Sequence, residues 1–225
     1  CYLKQQFGEK LYKIAIDGGM TCPNRDGTKG RLGCSFCSEG GSGDFAVPRG
    51  MTGDCLSPVS VHGTPVYPAL TYYAGIVTRQ IDEGIRRLKD SRKYCGNRYI
   101  AYFQSYSNTY APISYLRPLY EEALSHPLVA GVSIATRPDC FTPETYELLV
   151  TCHQQKPVWI ELGLQTMHER TAKQIRRGYP LSCFEETVQS LKEHGIPVIV
   201  HVILGLPGET PEDMLETIRY LNTLG

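Results

Sequence analysis

No stretch of this chain of 225 residues approaches the roughly eighteen consecutive apolar residues of a membrane helix; the longest apolar run, 196–207, is broken by Pro197, His201 and Gly205. Charge of one sign is also missing. Lys+Arg and Asp+Glu both number 23, so no overall field draws the chain to a polyanion, and only a local basic face would do so. The N-terminus lacks the charged, then apolar, then small-residue order of a secretory leader and begins at Cys1, which reads as a trimmed start on a cytoplasmic protein. With 41% hydrophobic and 20% charged residues, and 22 Gly and 15 Pro in no fixed period, neither disorder nor a fibrous repeat fits.

Cysteine, by contrast, is plentiful. Nine cysteines in a chain without an export signal, and too large to need stapling, favour thiol or metal chemistry over a disulfide framework. Six are scattered and read as small buried hydrophobes. The other three, Cys22, Cys34 and Cys37, form C-x11-C-x2-C, in which the C-x2-C pair lets two thiolates converge and the third closes a face. Structural zinc would need a fourth ligand, the nearest later ones being Cys55 and His62; an iron-sulfur cube on three thiolates leaves one iron open. Spacing alone leaves zinc, an iron-sulfur cluster and plain thiols all open.

Short apolar strands alternate with amphipathic helices, the pattern of a parallel sheet with crossover helices in a barrel-like or doubly wound α/β fold. Strands are predicted at 11–16, 99–103, 129–135, 158–164 and 198–204, and helices at 72–88, 114–125 and 212–221. Helix starts are marked by Thr142-Pro143, by Ser182 with Glu185 as a capping box, and by Thr210-Pro211; Gly195 suits a helix C-terminus. The segment 21–43 is rich in Gly, Ser, Cys and charge, and 44–66 adds Pro and Gly without periodicity, so 21–66 reads as a loop that is either functional or mobile. The chain stops where a further strand is due, so the fold looks cut short.

Ligands of parallel α/β folds bind at the carboxyl ends of the strands. Polar or glycine-rich groups stand there after four successive strands: Gln104, Ser105, Ser107 and Asn108; Thr136, Arg137 and Asp139; Gln165; and 205–209. Glu161 and His201 lie inside apolar strands, where burial demands partners. The basic cluster Arg86, Arg87, Lys89, Arg92 and Lys93 reads as a solvated helix face, and the Tyr-rich segments as core packing.

In combination, Cys22-Pro-Asn-Arg-Asp-Gly-Thr, Cys34-Ser-Phe-Cys37, Gly41-Ser-Gly-Asp-Phe-Ala46, the segment 102–112, Ser133-Ile-Ala-Thr-Arg-Pro-Asp139 and Glu161-Leu-Gly-Leu-Gln-Thr166 resemble radical S-adenosylmethionine (SAM) proteins of the YtqA/YhcC type, in the elongator-catalytic-subunit-like and MiaB/NifB-like branch. The resemblance spans 7–221. It implies one core domain, 1–225, folded as a partial (β/α)6 TIM-like barrel whose sixth strand is missing, with a cluster-binding and cap loop at 21–66.

The resemblance further implies that Cys22, Cys34 and Cys37 bind a [4Fe-4S] cluster whose open iron is chelated by SAM, and that Phe36 contacts the adenine. Gln104 and Ser105 stand where relatives have a Gly-Gly-Glu motif that receives the methionine amino group. Gln165 and Arg177 would reach the ribose and the carboxylate. Thr136 and Arg137 are further contacts, and Leu204, Gly205 and Pro207 would line the adenine side. His201 and Ala135 replace acidic residues of coproporphyrinogen-oxidase-like relatives. The implied activity is reductive cleavage of SAM to a 5'-deoxyadenosyl radical, fed by a low-potential electron donor. The implied substrate is tRNA, at the carboxymethylaminomethyl side chain of the wobble uridine. A zinc-stabilised binding module and an iron-sulfur redox sensor are the alternatives.

Overall fold

The computed structural model describes residues 2–42, 46, 59–61, 64–66, 71–91 and 96–224. Cys1, Cys55, His62, Arg92, Lys93, Cys95, and 43–45 of the Gly41 to Ala46 motif lie outside them. In chain order the elements are α1 (Tyr2–Phe7), β1 (Tyr12–Ile16), β2 (Val59–Val61), β3 (Thr64–Val66), α2 (Ile76–Asp90), β4 (Tyr99–Phe103), α3 (Ile113–Ser125), β5 (Val129–Thr136), α4 (Pro143–Gln155), β6 (Val158–Gln165), α5 (Glu169–Gln174), α6 (Leu181–Glu193), β7 (Val198–Val202) and α7 (Pro211–Thr223). The strands β1-β4-β5-β6-β7 form one sheet in that order, every pair parallel. Strand order without reversal is the singly wound arrangement of a barrel rather than a doubly wound sheet. Among the described residues this sheet has five strands, and β2 and β3 form a separate antiparallel pair inside the segment read as irregular.

The two-residue period of the strands divides the sheet into two chemically different faces. Toward the helices point Ile14 and Ile16, Ala101 and Phe103, Val132 and Ile134, and Ile160, Leu162 and Leu164. They pack with Val77 and Ile81 of α2, Leu116 and Leu119 of α3, Leu148 of α4 and Phe184 of α6 in the main core. Each such fully buried side chain contributes about 1.5–3 kcal/mol. The other face starts with a small apolar floor of Leu11, Ile100, Ala130 and Trp159, against which α1 packs Leu3 and Phe7. The Phe7 and Trp159 rings meet edge-on, 6.2 Å apart. Above that floor the inward positions turn polar.

Local chemistry accounts for most boundaries. Thr142 and Thr210 cap α4 and α7 with reciprocal side-chain bonds and Pro at the first turn. Helix α6 ends in a left-handed Gly195, with Gly195 N–H bonded to Lys192 O and Ile196 N–H to Leu191 O, so the last carbonyls are satisfied. Two expectations fail. The predicted box at Ser182 and Glu185 is absent, because α6 starts earlier, at Leu181 behind Pro180, with no side-chain cap. Helix α2 starts at Ile76, not 72, because Gly75 turns left-handed (φ 86°) before it.

Gly84 lets α2 approach β1, since a Cβ there would stand 2.4 Å from Ile14 Cγ2. Gly84→Ala gains about 1 kcal/mol of helix propensity but overpacks a stiff β-branched neighbour at about 1–3 kcal/mol. A lower urea midpoint at unchanged m is the expected result; a higher midpoint would contradict this packing.

Candidate active site

The loop after β1 is folded back by its own turns and then pinned to the far side of the barrel mouth. Cys22 O accepts from Arg25 N and Asp26 N, and Pro23 O from Lys29 N and Gly30 N. Asn24 Nδ2 lies 2.7 Å from Arg176 O, 3.1 Å from Arg177 O and 3.2 Å from Cys34 Sγ. Ser35 N–H donates to Ile175 O and Arg176 Nε to Gly33 O, both at 3.0 Å. Gly178, left-handed at φ 83°, leaves room for Asn24, whose Oδ1 would stand 2.4 Å from a Cβ there.

This docking brings Cys22, Cys34 and Cys37 to one cavity of about 820 Å³ at the carboxyl ends of the strands. Of the residues singled out in the sequence, Phe36, Gln104, Thr136, Arg137, Gln165, Arg177 and His201 share its walls. Ser105 is buried outside them; Leu204, Gly205 and Pro207 also lie off the cavity, Leu204 with 61% of its surface exposed. Among the described residues, three of the four non-glycine residues with left-handed backbone, Ser42, Tyr106 and Gln165, are in the wall, and the fourth, Arg176, holds the cysteine loop. Strain of this kind concentrates where a site is held in shape by its surroundings.

The two arginines are committed within the protein. Arg177 is 1% exposed, and its guanidinium donates to Tyr179 O, Leu164 O, Thr166 O and Glu169 Oε1 at 2.6–3.1 Å. Its carbonyl accepts from Asn24 Nδ2 and from Arg137 Nη1. Arg137 grips Asp139 with two bonds, and Lys29 shares the same carboxylate. Both guanidinium groups lie 4.9 Å from the centre of the Tyr179 ring, whose hydroxyl donates to Gly163 O and Gln165 Oε1. Neither arginine is a free fork for a ligand carboxylate.

Around the thiols the electrostatics are uneven. The hydrogen bond shared with Cys34 favours the Cys37 thiolate; burial opposes it, Ser42, Arg25 and Arg137 assist, and the pKa falls to about 6. Cys34, the donor of that pair, is pushed up by the same bond and by burial. Among the described residues the three sulfurs do not all lie within 4.8 Å of one another; the set that does is His168, Asp213 and Glu216, of which Asp213 is paired with Arg170. One tetrahedral zinc with Zn–S bonds of about 2.3 Å draws its sulfurs to about 3.8 Å. Cys34 and Cys37 are close enough to share a hydrogen bond, so the spacing of the sulfurs does not itself select between zinc and a cluster.

Residues 26–221 match the family described as the Radical SAM superfamily. The chain belongs to the radical SAM superfamily. It is 41% identical to YtqA of Bacillus subtilis and 35% identical to YhcC of Escherichia coli, over 218 residues each, covering 97% and 96% of this chain. It spans about three fifths of the length of those relatives (60% and 61%). A shorter stretch of 89 residues, 40% of this chain and 19% of the relative, is 32% identical to the tRNA uridine(34) acetyltransferase of Dehalococcoides mccartyi. Among solved structures the archaeal Methanocaldococcus infernus Elp3 shares the fold at a TM-score of 0.53 and 17% identity, covering 63% of this chain and 37% of that one.

The cofactors of radical SAM proteins are a [4Fe-4S] cluster and SAM, and the residues here suit them. Three thiols with a lowered pKa at Cys37 form a cluster donor set, and Asn24 directs an N–H at one sulfur. Ser107 Oγ is buried in the wall with only the Cys140 thiol beside it, leaving an oxygen for a ligand to satisfy. Sequence reasoning assigned no role to Asn24, Lys13, Tyr102 or Tyr179. Lys13 carried a readable signal, a charge at an inward position between apolar neighbours; Tyr179 carried none.

Two outcomes test this site. Arg177→Met leaves three carbonyls and Glu169 without this donor and lowers stability by on the order of 3 kcal/mol in urea unfolding; an unchanged midpoint would mean that the guanidinium was free for a ligand. Burial alone would raise the Glu161 pKa, but bonds from His201, Lys13 and Ser133 overcome it and lower it to about 2. A carboxylate lowered in the folded state adds stability that is complete above its unfolded value of about 4.3 and is lost as pH falls toward 2. Glu161→Gln therefore flattens the acid limb of stability between about pH 5 and 2; an unaltered limb contradicts the assignment.

Proposed function

We propose that this chain is the core of a radical SAM enzyme that modifies tRNA at the carboxymethylaminomethyl side chain of the wobble uridine, with a low-potential electron donor as partner. The observation that carries the reading is three thiols pinned over a cavity at the strands' carboxyl ends. Bound there, a [4Fe-4S] cluster and SAM supply one-electron cleavage of the sulfonium and hence a 5'-deoxyadenosyl radical.

The chain's own residues orient and enclose. Cys22, Cys34 and Cys37 hold the cluster, Asn24 positions Cys34, and Phe36 offers an apolar face to the adenine. Gln165, fixed by Tyr179, presents its amide to the ribose. Arg177 and Arg137 keep the loop docked rather than meeting the SAM carboxylate. The Phe7 and Trp159 floor closes the lower end against water.

The tRNA part draws support from the Dehalococcoides relative, a tRNA uridine(34) acetyltransferase. The surface does not supply a docking face on α2, where Arg86 and Arg87 are paired with Glu83 and Asp90.

The test is 5'-deoxyadenosine formation from SAM by anaerobically reconstituted protein under a low-potential reductant. A brown protein with about four irons per chain that forms product, against none in Cys37→Ala, supports the reading. A colourless protein that takes up one zinc overturns it in favour of a binding module; an iron-loaded protein that leaves SAM intact favours a redox sensor. Loss of the carboxymethyl group from tRNA in the same reaction tests the substrate.

A further inference from the structure

Between the apolar floor and the thiols, the inner face carries one polar side chain from each of the five strands: Lys13 of β1, Tyr102 of β4, Ser133 of β5, Glu161 of β6 and His201 of β7. The stagger between neighbouring strands brings them to one level, since Tyr102 pairs with Ser133, while Glu161 pairs with Ala135 and His201 with Gly163. Glu161 is the centre. Its carboxylate is 2% exposed; Oε1 accepts from Lys13 Nζ and Ser133 Oγ, and Oε2 lies 2.8 Å from His201 Nε2. The Tyr102 hydroxyl is a further partner, and Lys13 Nζ stands 4.3 Å from the centre of its ring.

A buried carboxylate costs several kcal/mol unless it is fully paired, and apolar side chains would fill the same space without that cost. Glu161 is saturated by its donors and has little left to offer a ligand. The groups at this level with capacity to spare are Lys13, with further N–H donors on its ammonium, and His201, whose Nδ1 is not used by Glu161. Their side chains are 40% and 45% exposed, and His201, Tyr102 and Glu161 all line the cavity. One buried anion thus holds Lys13 and His201 together on the inner face, with His201 in the wall of a cavity whose Arg137 and Arg177 are otherwise engaged. That is the arrangement of an oxyanion receiver.

We infer that Lys13 and His201, fixed by Glu161, form a carboxylate-binding subsite that takes the carboxylate of the substrate. The substrate's identity rests on the wobble-uridine reading above; the existence of the subsite does not. The same chemistry would be met by the carboxylate of SAM, and the test separates the two.

Acetate is titrated into cluster-loaded protein labelled at histidine nitrogen. A saturable shift of the His201 ring signals, identified by their loss in His201→Gln and weakened at least about tenfold in Lys13→Met, is expected. No shift, or one indifferent to Lys13→Met, overturns the subsite whatever the substrate. Both replaced side chains are half-exposed and Glu161 keeps its other partners, so the variants should fold, which far-UV circular dichroism checks. The second arm compares binding of 5-carboxymethylaminomethyluridine and 5-aminomethyluridine. A preference for the carboxylated nucleoside of about tenfold or more that collapses in Lys13→Met and His201→Gln supports the substrate assignment. Weakened SAM binding with that preference intact overturns it and gives the subsite to SAM. If acetate binds as expected but the wild type discriminates neither nucleoside, the substrate assignment falls together with the wobble-uridine reading, while the subsite's chemistry stands.

Discussion

A guanidinium removed from water must meet acceptors on nearly every side, and the backbone around Arg177 is arranged to provide them. Its nitrogens gather the end of β6 through Leu164 and Thr166, the turn before α6 through Tyr179, and the first turn of α5 through Glu169. Its carbonyl receives Asn24 from the cysteine loop and Arg137 from the end of β5. One residue therefore joins two strand ends and two helix starts to the loop that carries the thiols. Without this knot, the loop from 21 to 42 has few apolar side chains to hold it, since Leu32 is exposed and the buried Met20 stands just before it.

The two-faced sheet follows from the same need for satisfaction. The helix side is uniformly apolar and requires nothing beyond packing, which is why α2, α3, α4 and α6 cover it with Ile, Leu, Val and Phe. On the inner side the character changes with height: aromatic and aliphatic at the floor, charged in the middle, thiol and polar at the mouth. Each level uses a different strand position, so a barrel interior can close one end to water and leave the other to a reactive ligand.

Most of the sheet was readable in the sequence because its strands are short, apolar and flanked by turn residues. The expected 99–103 coincides with β4, and β5, β6 and β7 differ from expectation only at their carboxyl ends. The exceptions have physical causes: α6 begins after Pro180 rather than at a hydroxyl cap, and α5 is too short for a period to emerge. The cysteine triplet and most strand-end residues also share one cavity, since carboxyl ends of parallel strands converge by topology. Leu204, Gly205 and Pro207 do not, because β7 ends at Val202 and the chain turns away from the cavity.

Spacing and residue type by themselves determined the α/β class, the positions of the strands along the chain and which three thiols cluster, because periodicity and C-x2-C geometry are local properties of a chain. Which polar side chains are free to meet a ligand was decided only by tertiary contacts. Arg177 reads in one dimension as a carboxylate fork and is in three dimensions a buried structural tie. Lys13 reads only as a charge between apolar strand neighbours and becomes, through Glu161 148 positions away, a charge fixed on the inner face of the sheet. The reason is that hydrogen-bond capacity is finite, and only the fold determines which partners have already used it.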